Sequence, residues 1–267
     1  MTINNRKQFI QEVLLEAGKL LIEKYPTTAT YSGAKGYLAE ADLLMNEFIK
    51  TKIRSEYSNE QIFSEEDDES QRPEVSDSSL TWIIDPICGT TNFVKKLPFF
   101  VISLCVLDSA GVLSSGIFDP LRDELFLADR ESTSLNGTQI FVSDVETLDE
   151  AIIAVNCNQS SFKRDRLLLI DHVIDLAPPK TRRLRIMESA NLELAYVACG
   201  RLDGYLNHED KIWDMAAGSL MIQSAGGVYK ILNGSFANLK SCLGIVTSNE
   251  NIFRSLAGYA KDISEVS

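Results

Sequence analysis

One segment, Asp85-Pro86-Ile87-Cys88-Gly89-Thr90-Thr91-Asn92-Phe93, collects residue types that bind metal ions and phosphate. A carboxylate at the end of a buried strand, such as Asp85, can hold a hard cation. Gly89 lets a ligand approach the backbone closely, and Thr90 and Thr91 offer hydroxyl and N–H groups. If a helix begins here, those N–H groups and the helix dipole favour a phosphate. Taken alone, the segment is also consistent with a strand followed by a capped turn.

Two further acidic segments could contribute to the same chemistry. The run Ser64-Glu65-Glu66-Asp67-Asp68-Glu69 is typical of a solvated acidic loop, unless Glu65 turns inward to a metal. In Trp213-Asp214-Met215-Ala216-Ala217-Gly218, Asp214 falls where a helix starts, so it is either an N-cap or a metal ligand. The small residues that follow would let another element pack closely against that helix.

Together, and in this order, these segments resemble the inositol monophosphatase family, which is related to fructose-1,6-bisphosphatases and bisphosphate nucleotidases. That family carries a Glu-Glu pair, then Asp-Pro-Ile-Asp-Gly-Thr-Thr-Asn-Phe, then Trp-Asp-x-Ala-Ala-Gly followed by Ala-Gly-Gly. The matching residues here are Glu65-Glu66, Asp85 to Phe93, Trp213 to Gly218, and Ala225-Gly226-Gly227. Shorter matches are Glu40-Ala41-Asp42, Asn136-Gly137 and Ala198 to Tyr205, so the resemblance spans roughly residues 5 to 255.

The resemblance implies a layered α-β-α-β-α sandwich of the α/β (α+β) class, often a homodimer. It also implies hydrolysis of a phosphate monoester with two or three Mg²⁺ ions, with Mn²⁺ as an alternative and lithium as an inhibitor. By position, the metal ligands would be Glu65, Asp85, the carbonyl of Ile87, Asp214 and the residue at 88. Glu65 and Thr90 would orient the attacking water, with Asp42 supporting Thr90. The phosphate would lie against Gly89, Thr90 and Thr91.

Cys88 departs from the family motif, which has a metal-sharing aspartate at this position. A thiol is soft, mostly protonated at neutral pH and a poor ligand for Mg²⁺. The change predicts the loss of one metal site and a fall of several powers of ten in the ordinary phosphatase rate. One alternative is a thiolate that binds a softer metal such as Zn²⁺ or Mn²⁺, or that acts as a nucleophile, although no histidine in the neighbouring sequence offers itself as a base. Another is an inactive protein in which the residue drifted or was introduced.

Other departures fall in the same region. Ser64 replaces a glycine, and Tyr37 and Ala39 stand where the family usually has Asp and Thr. Glu188 precedes Ser189-Ala190, where the family has a Gly-Ser-Ala stretch that lines the substrate. A carboxylate at 188 would repel an anionic substrate or pair with an amine on one, unless it points to solvent.

Asn207 falls where inositol-specific relatives have a glutamate that binds a sugar hydroxyl. The resemblance thus implies substrate contacts by Glu188, Ser189, Ala190 and Asn207, and the substrate stays open among small polyol, sugar and nucleotide phosphates. The packing motifs are intact while the site is changed, which suggests altered function rather than decay.

Two hypotheses follow. In the first, the chain is a metal-dependent phosphomonoesterase with weakened or altered activity, favoured by the retained Glu65, Asp85, Thr90 and Asp214. In the second, it is an inactive or repurposed relative that binds a ligand in the same pocket or catalyses a different reaction, favoured by Cys88, Glu188 and Asn207.

Composition fits a globular protein with no nucleic-acid or membrane partner. Of the 267 residues, 45% are hydrophobic and 24% charged, enough for a sizeable core. The net charge of −12 gives no general attraction for nucleic-acid phosphates, and no apolar run approaches the ~20 residues that span a bilayer. The polar start, Met1 to Gln8, does not resemble a signal peptide and predicts a cytoplasmic location. Five scattered cysteines without C-x-x-C predict neither a disulfide framework nor a zinc site.

Periodicity predicts the elements that position these residues. Helical spacing covers 5–24, 39–55, 161–174, 190–199 and 213–225, and strands are expected at 82–84, 101–107, 111–118, 124–128, 151–156, 203–206 and 244–247. The first of these strands is expected to stop at Asp85-Pro86, Asn136-Gly137 to form a turn, and Thr27 to Lys35 to form a loop. We expect one domain over residues 1–267, with two packed halves of about 1–145 and 146–267.

Overall fold

Two β-sheets and the helices around them form the framework of the protein. The computed structural model describes residues 3–25, 29–31, 37–68, 70, 72–75, 79–156, 174–207, 210–233 and 243–264. The helices with both ends described are α1 Ile3–Glu23, α2 Glu40–Glu56, α3 Thr90–Lys95, α4 Ala190–Ala198, α5 Ile212–Ser224 and α6 Glu250–Ser264. Residues 174–176 are also helical. The strands are β1 Ala29–Tyr31, β2 Tyr37–Ala39, β3 Gln61–Ser64, β4 Thr81–Cys88, β5 Val101–Asp108, β6 Gly111–Asp119, β7 Glu124–Asp129, β8 Thr133–Leu135, β9 Thr138–Gln139, β10 Ile152–Val155, β11 Arg183–Arg185, β12 Gly204–Leu206, β13 Val228–Asn233 and β14 Leu243–Thr247.

The larger sheet has seven strands in the order β3-β4-β5-β6-β7-β8-β9. Only its edge pair β3–β4 is parallel, and the rest follow as antiparallel neighbours. The smaller sheet has the order β11-β10-β12-β14-β13, with parallel pairing on both sides of β10 and antiparallel pairing beyond β12. The segment between α1 and α2 adds a separate antiparallel pair, β1–β2.

The helices and sheets stack as five layers. α1 and α2 pack on one face of the seven-stranded sheet, α4 and α5 lie between the two sheets, and α6 covers the outer face of the five-stranded sheet. Each interface buries its own apolar cluster, since an amphipathic element must bury its apolar face against another. The arrangement confirms the expected α-β-α-β-α sandwich.

The two sheets fall on either side of residue 145, but their cores are joined. The middle cluster combines Phe63 and Val101 from the first half with Tyr205 and Trp213 from the second. The rings of Phe63 and Trp213 are tilted against each other at 5.7 Å. This shared core fixes α4 and α5 against the end of β4.

Most predicted elements lie within a few residues of the observed ones, including the Asn136-Gly137 turn, where both residues have positive φ (49° and 79°). The expected loop over Thr27 to Lys35 is wrong at 29–31, which form β1. Elements that were not predicted are β1, β2, β3, β8, β9, β11, β13 and α6. The helix expected at 161–174 lies outside the described residues except for its last position, and so does Glu69 of the acidic run. No helix in the described ranges is both long and apolar enough to cross a bilayer.

Candidate metal centre

Parallel pairing of β3 with β4 brings Glu65 beside Asp85. The register pairs Ser64 with Ile84, and the backbone N–H of Glu65 donates to the carbonyl of Ile84 over 3.2 Å. Glu65 and Asp85 are the next residues along the two chains, so the parallel register places these two acids side by side.

The strand expected to stop at Asp85-Pro86 continues to Cys88, and its pairing with β5 is irregular there. Asp85 pairs with Ser103 while Cys88 pairs with Val101, so three steps along β4 match two along β5. Residues three apart in a regular strand face opposite sides, and the extra residue reverses that parity. Asp85 and Cys88 consequently face the same side of the sheet, towards α4 and α5.

Asp214 reaches the same place from α5. It is not the N-cap but the third helical residue: Lys211 caps the helix, and its backbone N–H donates to Asp214 Oδ2 over 2.9 Å. A carboxylate here stabilises the positive end of the helix and leaves its other oxygen available. Within the described part of the chain, Asp85, Cys88 and Asp214 each place one ligand atom within 4.8 Å of the others.

Burial and mutual repulsion raise the pKa values of the carboxyl groups in this cluster. Burial raises the pKa of Glu65 well above its usual range, and the charges of Asp85 and Glu66 add to the effect. Burial, followed by the charge of Asp214, raises the pKa of Asp85. The pKa of Asp214 rises through burial and then the charges of Asp210 and Glu65. A divalent cation would offset this repulsion and favour the ionised carboxylates.

Cys88 is buried, with 4% of its surface exposed. Burial raises the pKa of its thiol well above the ordinary value, and the charges of Asp85 and Asp214 add to the rise. Its sulfur accepts a hydrogen bond from the backbone N–H of Asn191, in the first turn of α4, over 3.3 Å. In the absence of a cation, burial and the neighbouring carboxylates favour the neutral thiol, and the hydrogen bond from Asn191 only partly opposes them. The residue is therefore a soft, protonated group among hard carboxylates.

Asn191 connects the three segments that build the cluster. Its side-chain Nδ2 donates to Asp85 Oδ2 and to the carbonyl of Trp213, each over 3.0 Å. Asp85 is fully buried, and its other oxygen, Oδ1, has no hydrogen-bond partner among the described residues. A buried carboxylate oxygen without a donor fits a metal ligand, because such an atom is otherwise costly to bury.

Thr90 and Asp42 form the expected pair. Thr90 Oγ1 lies 3.0 Å from Asp42 Oδ1 and 3.1 Å from the carbonyl of Ile87, and its one hydroxyl proton can be donated to either. Gly89, with φ of +96°, precedes this first residue of α3, and a Cβ there would lie 2.7 Å from the carbonyl of Phe99. Only glycine fits this position without strain. Thr91 follows in the first turn and is exposed.

The expected substrate residues are not placed alike. Glu188 is exposed and has a positive φ of 56°, unusual for a residue other than glycine. Ser189 and Ala190 are buried, and Ser189 Oγ donates to the Cys88 carbonyl over 2.9 Å. Asn207 is fully buried between β12 and β14: it accepts from the Gly244 N–H, and its Nδ2 lies 3.1 Å from the sulfur of Met215. A substrate contact through the Asn207 side chain would require it to leave these interactions.

Of the other departures from the family pattern, Ser64 has contacts that stabilise the fold, whereas only the backbone of Tyr37 and Ala39 is described. Ser64 is buried at the end of β3, and its N–H donates to Asp67 Oδ2 over 3.0 Å. Asp67 also pairs with Lys50, so this acid of the run holds the loop that follows β3. The backbones of Tyr37 and Ala39 lie in β2, and their side chains are outside the described part of the structure.

Three buried polar residues near the site were missed from the sequence. Asn191 and Glu193 interrupt the otherwise apolar helix α4, and that interruption was a usable signal. Glu193 Oε1 accepts from the Met187 N–H over 3.1 Å, and burial raises its pKa to about 8. Asp210 is fully buried and accepts hydrogen bonds from Asn156 and Tyr205.

Both the sequence and the fold are similar to those of known inositol monophosphatases. A family model described as the inositol monophosphatase family matches residues 4–265. An inositol monophosphatase of Dictyostelium discoideum is 29% identical over 263 residues, covering 96% of this chain and 95% of that protein. The Nus factor SuhB of Escherichia coli (strain K12) is 31% identical over 253 residues and covers 92% of each. The solved structure of an IMPase from Thermotoga maritima superimposes with a TM-score of 0.81 at 28% identity and covers 98% of both chains.

Proposed function

Because the chain belongs to the inositol monophosphatase family, we propose that it is a metal-dependent phosphomonoesterase whose activity is weakened or altered by Cys88. Its substrate would be a small polyol, sugar or nucleotide phosphate. The observation that carries the proposal is the convergence of Asp85, Cys88 and Asp214 within 4.8 Å. Glu65 and the Thr90–Asp42 pair lie beside this cluster.

The oxygen donors at the site suit a hard cation. Glu65, Asp85 and the carbonyl of Ile87 offer carboxylate and backbone oxygens, the ligands that Mg²⁺ takes in proteins. When bound, the metal would polarise the phosphoryl group and activate water for attack on it. The Cys88 sulfur does not suit Mg²⁺, so this chain provides fewer oxygen ligands than the family motif.

Thr90 and Glu65 would orient the attacking water. When the Thr90 hydroxyl donates to Asp42, its oxygen can still accept a hydrogen bond from a water molecule. The Glu65 carboxylate, which lies close enough to Asp42 and Asp85 for their charges to raise its pKa, would offer a second acceptor. Holding the water in one orientation lowers the entropic part of the barrier before the ester P–O bond breaks.

Phosphate contacts are proposed for Gly89, Thr90 and Thr91. Asn92 supports this arrangement, since its Nδ2 donates to the carbonyl of Phe99 over 2.9 Å and to that of Met187 over 2.7 Å. These bonds hold the loop before α4 against α3. The exposed Glu188 belongs to this loop and would lie at the edge of the proposed phosphate site. A carboxylate there disfavours substrates with additional negative charge and favours those that carry an amine.

Phosphate release from a panel of polyol, sugar and nucleotide monoesters, with Mg²⁺ or Mn²⁺, tests the proposal. We expect slow release by the native chain and an increase of two or more powers of ten, roughly, in Cys88→Asp. Thr51→Ala, on the exposed side of α2, is a control that should leave the rate unchanged. The proposal of an active phosphatase is wrong if the native chain releases no phosphate while Cys88→Asp does.

A second candidate, an inactive or repurposed relative that keeps the pocket for binding, is favoured by the same Cys88. It predicts that phosphate or a monoester binds to the native chain without turnover, as isothermal titration would measure. If Cys88→Asp also stays inactive, Cys88 alone does not explain the loss. Association into a homodimer, suggested by the family resemblance, stays a prediction that sedimentation would test.

A further inference from the structure

We propose that Asp85, Cys88 and Asp214 form a three-ligand site that binds a thiophilic divalent cation, Zn²⁺, in preference to Mg²⁺. The inference concerns the same site as the proposed function, and it is tested by metal binding without any substrate. It departs from the cysteine spacing in the sequence, which predicts no zinc site, because two of the three ligands are carboxylates that the fold brings to one cysteine.

The geometry meets the first requirement of such a site. The three ligand atoms lie within 4.8 Å of one another, a spacing that one ion can bridge after small side-chain shifts. Asp85 and Cys88 are held by the irregular end of β4, and Asp214 by the first turn of α5. Three protein ligands and one open position are the usual composition of a reactive zinc site.

The unpartnered oxygen of Asp85 is an independent sign of a ligand. Asp85 is fully buried, its Oδ2 accepts a hydrogen bond from Asn191, and its Oδ1 has no partner among the described residues. Most buried polar atoms have a hydrogen-bond partner, and this unpartnered oxygen belongs to a residue that also has two other potential ligand atoms within 4.8 Å. The fixed orientation leaves Oδ1 as the atom that faces a cation.

The sulfur decides which cation is favoured. Mg²⁺ takes oxygen ligands almost exclusively, whereas Zn²⁺ accepts thiolate, carboxylate and water together. The backbone N–H of Asn191 donates to Cys88 Sγ over 3.3 Å, and such a donor stabilises a metal-bound thiolate and fixes its direction. On binding, the thiol proton passes to solvent and the sulfur lone pair forms the bond to the metal.

Titration of the metal-free full-length protein with Co²⁺ tests the site, because a cobalt–thiolate bond gives a near-ultraviolet charge-transfer band. We expect this band in the native chain, its loss in Cys88→Ser, and its retention in the control Cys199→Ser. Zn²⁺ should displace Co²⁺ at a concentration roughly a hundredfold or more below that at which Mg²⁺ does. A band that survives in Cys88→Ser, or equal displacement by Zn²⁺ and Mg²⁺, overturns the inference.

Cys88→Asp provides a second variant in case Cys88→Ser does not fold, as circular dichroism would show. It should lose the charge-transfer band and reduce the preference for Zn²⁺ over Mg²⁺, and an unchanged preference contradicts the proposal. The two proposals can fail separately. A cobalt–thiolate band without phosphate release supports the metal site alone, and phosphate release with Mg²⁺ but no such band supports the phosphatase alone.

Discussion

Asn191 donates a hydrogen bond to Asp85 across 3.0 Å, although the two residues are 106 positions apart in the chain. The bond joins the first turn of α4 to the end of β4 and occupies Oδ2 of Asp85, which leaves Oδ1 for the proposed metal. The same Nδ2 donates to the Trp213 carbonyl, the residue before Asp214. Asn191 is therefore placed to position two proposed metal ligands, Asp85 and Asp214, which come from different elements.

Replacing Asn191 by alanine should weaken metal binding. Outer-shell hydrogen bonds to metal ligands contribute on the order of 10–100-fold in affinity, and Asn191→Ala removes the one that orients Asp85. Isothermal titration with Zn²⁺ and with Mg²⁺ measures the change. Asn251→Ala, at the exposed start of α6, is the matched control and should leave both affinities unaltered. Native affinity in Asn191→Ala would show that Asp85 is oriented by other contacts.

Thr90→Ala should reduce kcat on the best monoester substrate by about two powers of ten, since it removes the hydroxyl proposed to orient water. Asp42→Asn should have a smaller effect, because an asparagine Oδ1 can still accept the Thr90 hydrogen bond. Thr90→Ser keeps the hydroxyl and should restore most of the rate. Steady-state kinetics on the three variants gives this order, and a rate for Thr90→Ala equal to that of Thr90→Ser would contradict it.

The sequence predicts the identity of the site better than its geometry. Glu65, Asp85, Thr90 and Asp214 stand in motifs whose residue types suit metal and phosphate chemistry, and the β3–β4 register and α5 carry three of them to one place. That Asp85 and Cys88 face the same side of the sheet could not be predicted, because it depends on the irregular pairing of β4 with β5. Strand periodicity alone would place them on opposite faces.

Long-range contacts explain what else was missed. The bond from Asn191 to Asp85 and that from Asn92 to Met187 span 106 and 95 positions, and neither has a local pattern that reveals its partner. Short strands such as β11, with three residues, have too few positions to show alternation. Asn207 looked available for a substrate in the motif, but the pairing of β12 with β14 buries it.

The stability of the protein should fall as pH rises from about 4.5 to about 8 because of Glu193, whose buried carboxyl has its pKa raised from 4.5 to about 8. In this window the unfolded chain releases the proton that the folded chain retains, so rising pH favours unfolding. The stabilising contribution of Glu193 is fully present below its pKa in the unfolded chain. It is lost as the pH rises through its pKa in the folded chain. Over the whole window the contribution of Glu193 amounts to up to about 5 kcal/mol, at 1.36 kcal/mol per pKa unit.

Glu193→Gln removes the titrating carboxyl group and should flatten the pH dependence of the free energy of unfolding. Urea unfolding at pH 5, 6.5 and 8 should show the variant gaining stability on the native chain as pH increases, whatever their difference at pH 5. Glu146→Gln, on an exposed loop, is the matched control and should follow the native curve. Parallel curves for Glu193→Gln and the native chain would mean that Glu193 does not hold its proton in the folded state.

Gly218→Ala should destabilise the protein even though alanine is the better helix former. A Cβ at 218 would lie 2.5 Å from Cβ of Leu194, an atom that no rotamer change can move, so α4 and α5 must separate. Overpacking of this kind costs roughly 1–3 kcal/mol, against about 1 kcal/mol gained from helix propensity. Since these helices carry Asn191 and Asp214, the separation should also weaken metal binding.

Urea unfolding and Zn²⁺ titration measure the two effects, with Gln223→Ala on the exposed side of α5 as the control for propensity. A variant stabilised by about 1 kcal/mol, with native metal affinity, would show that the two helices separate freely and do not fix the site.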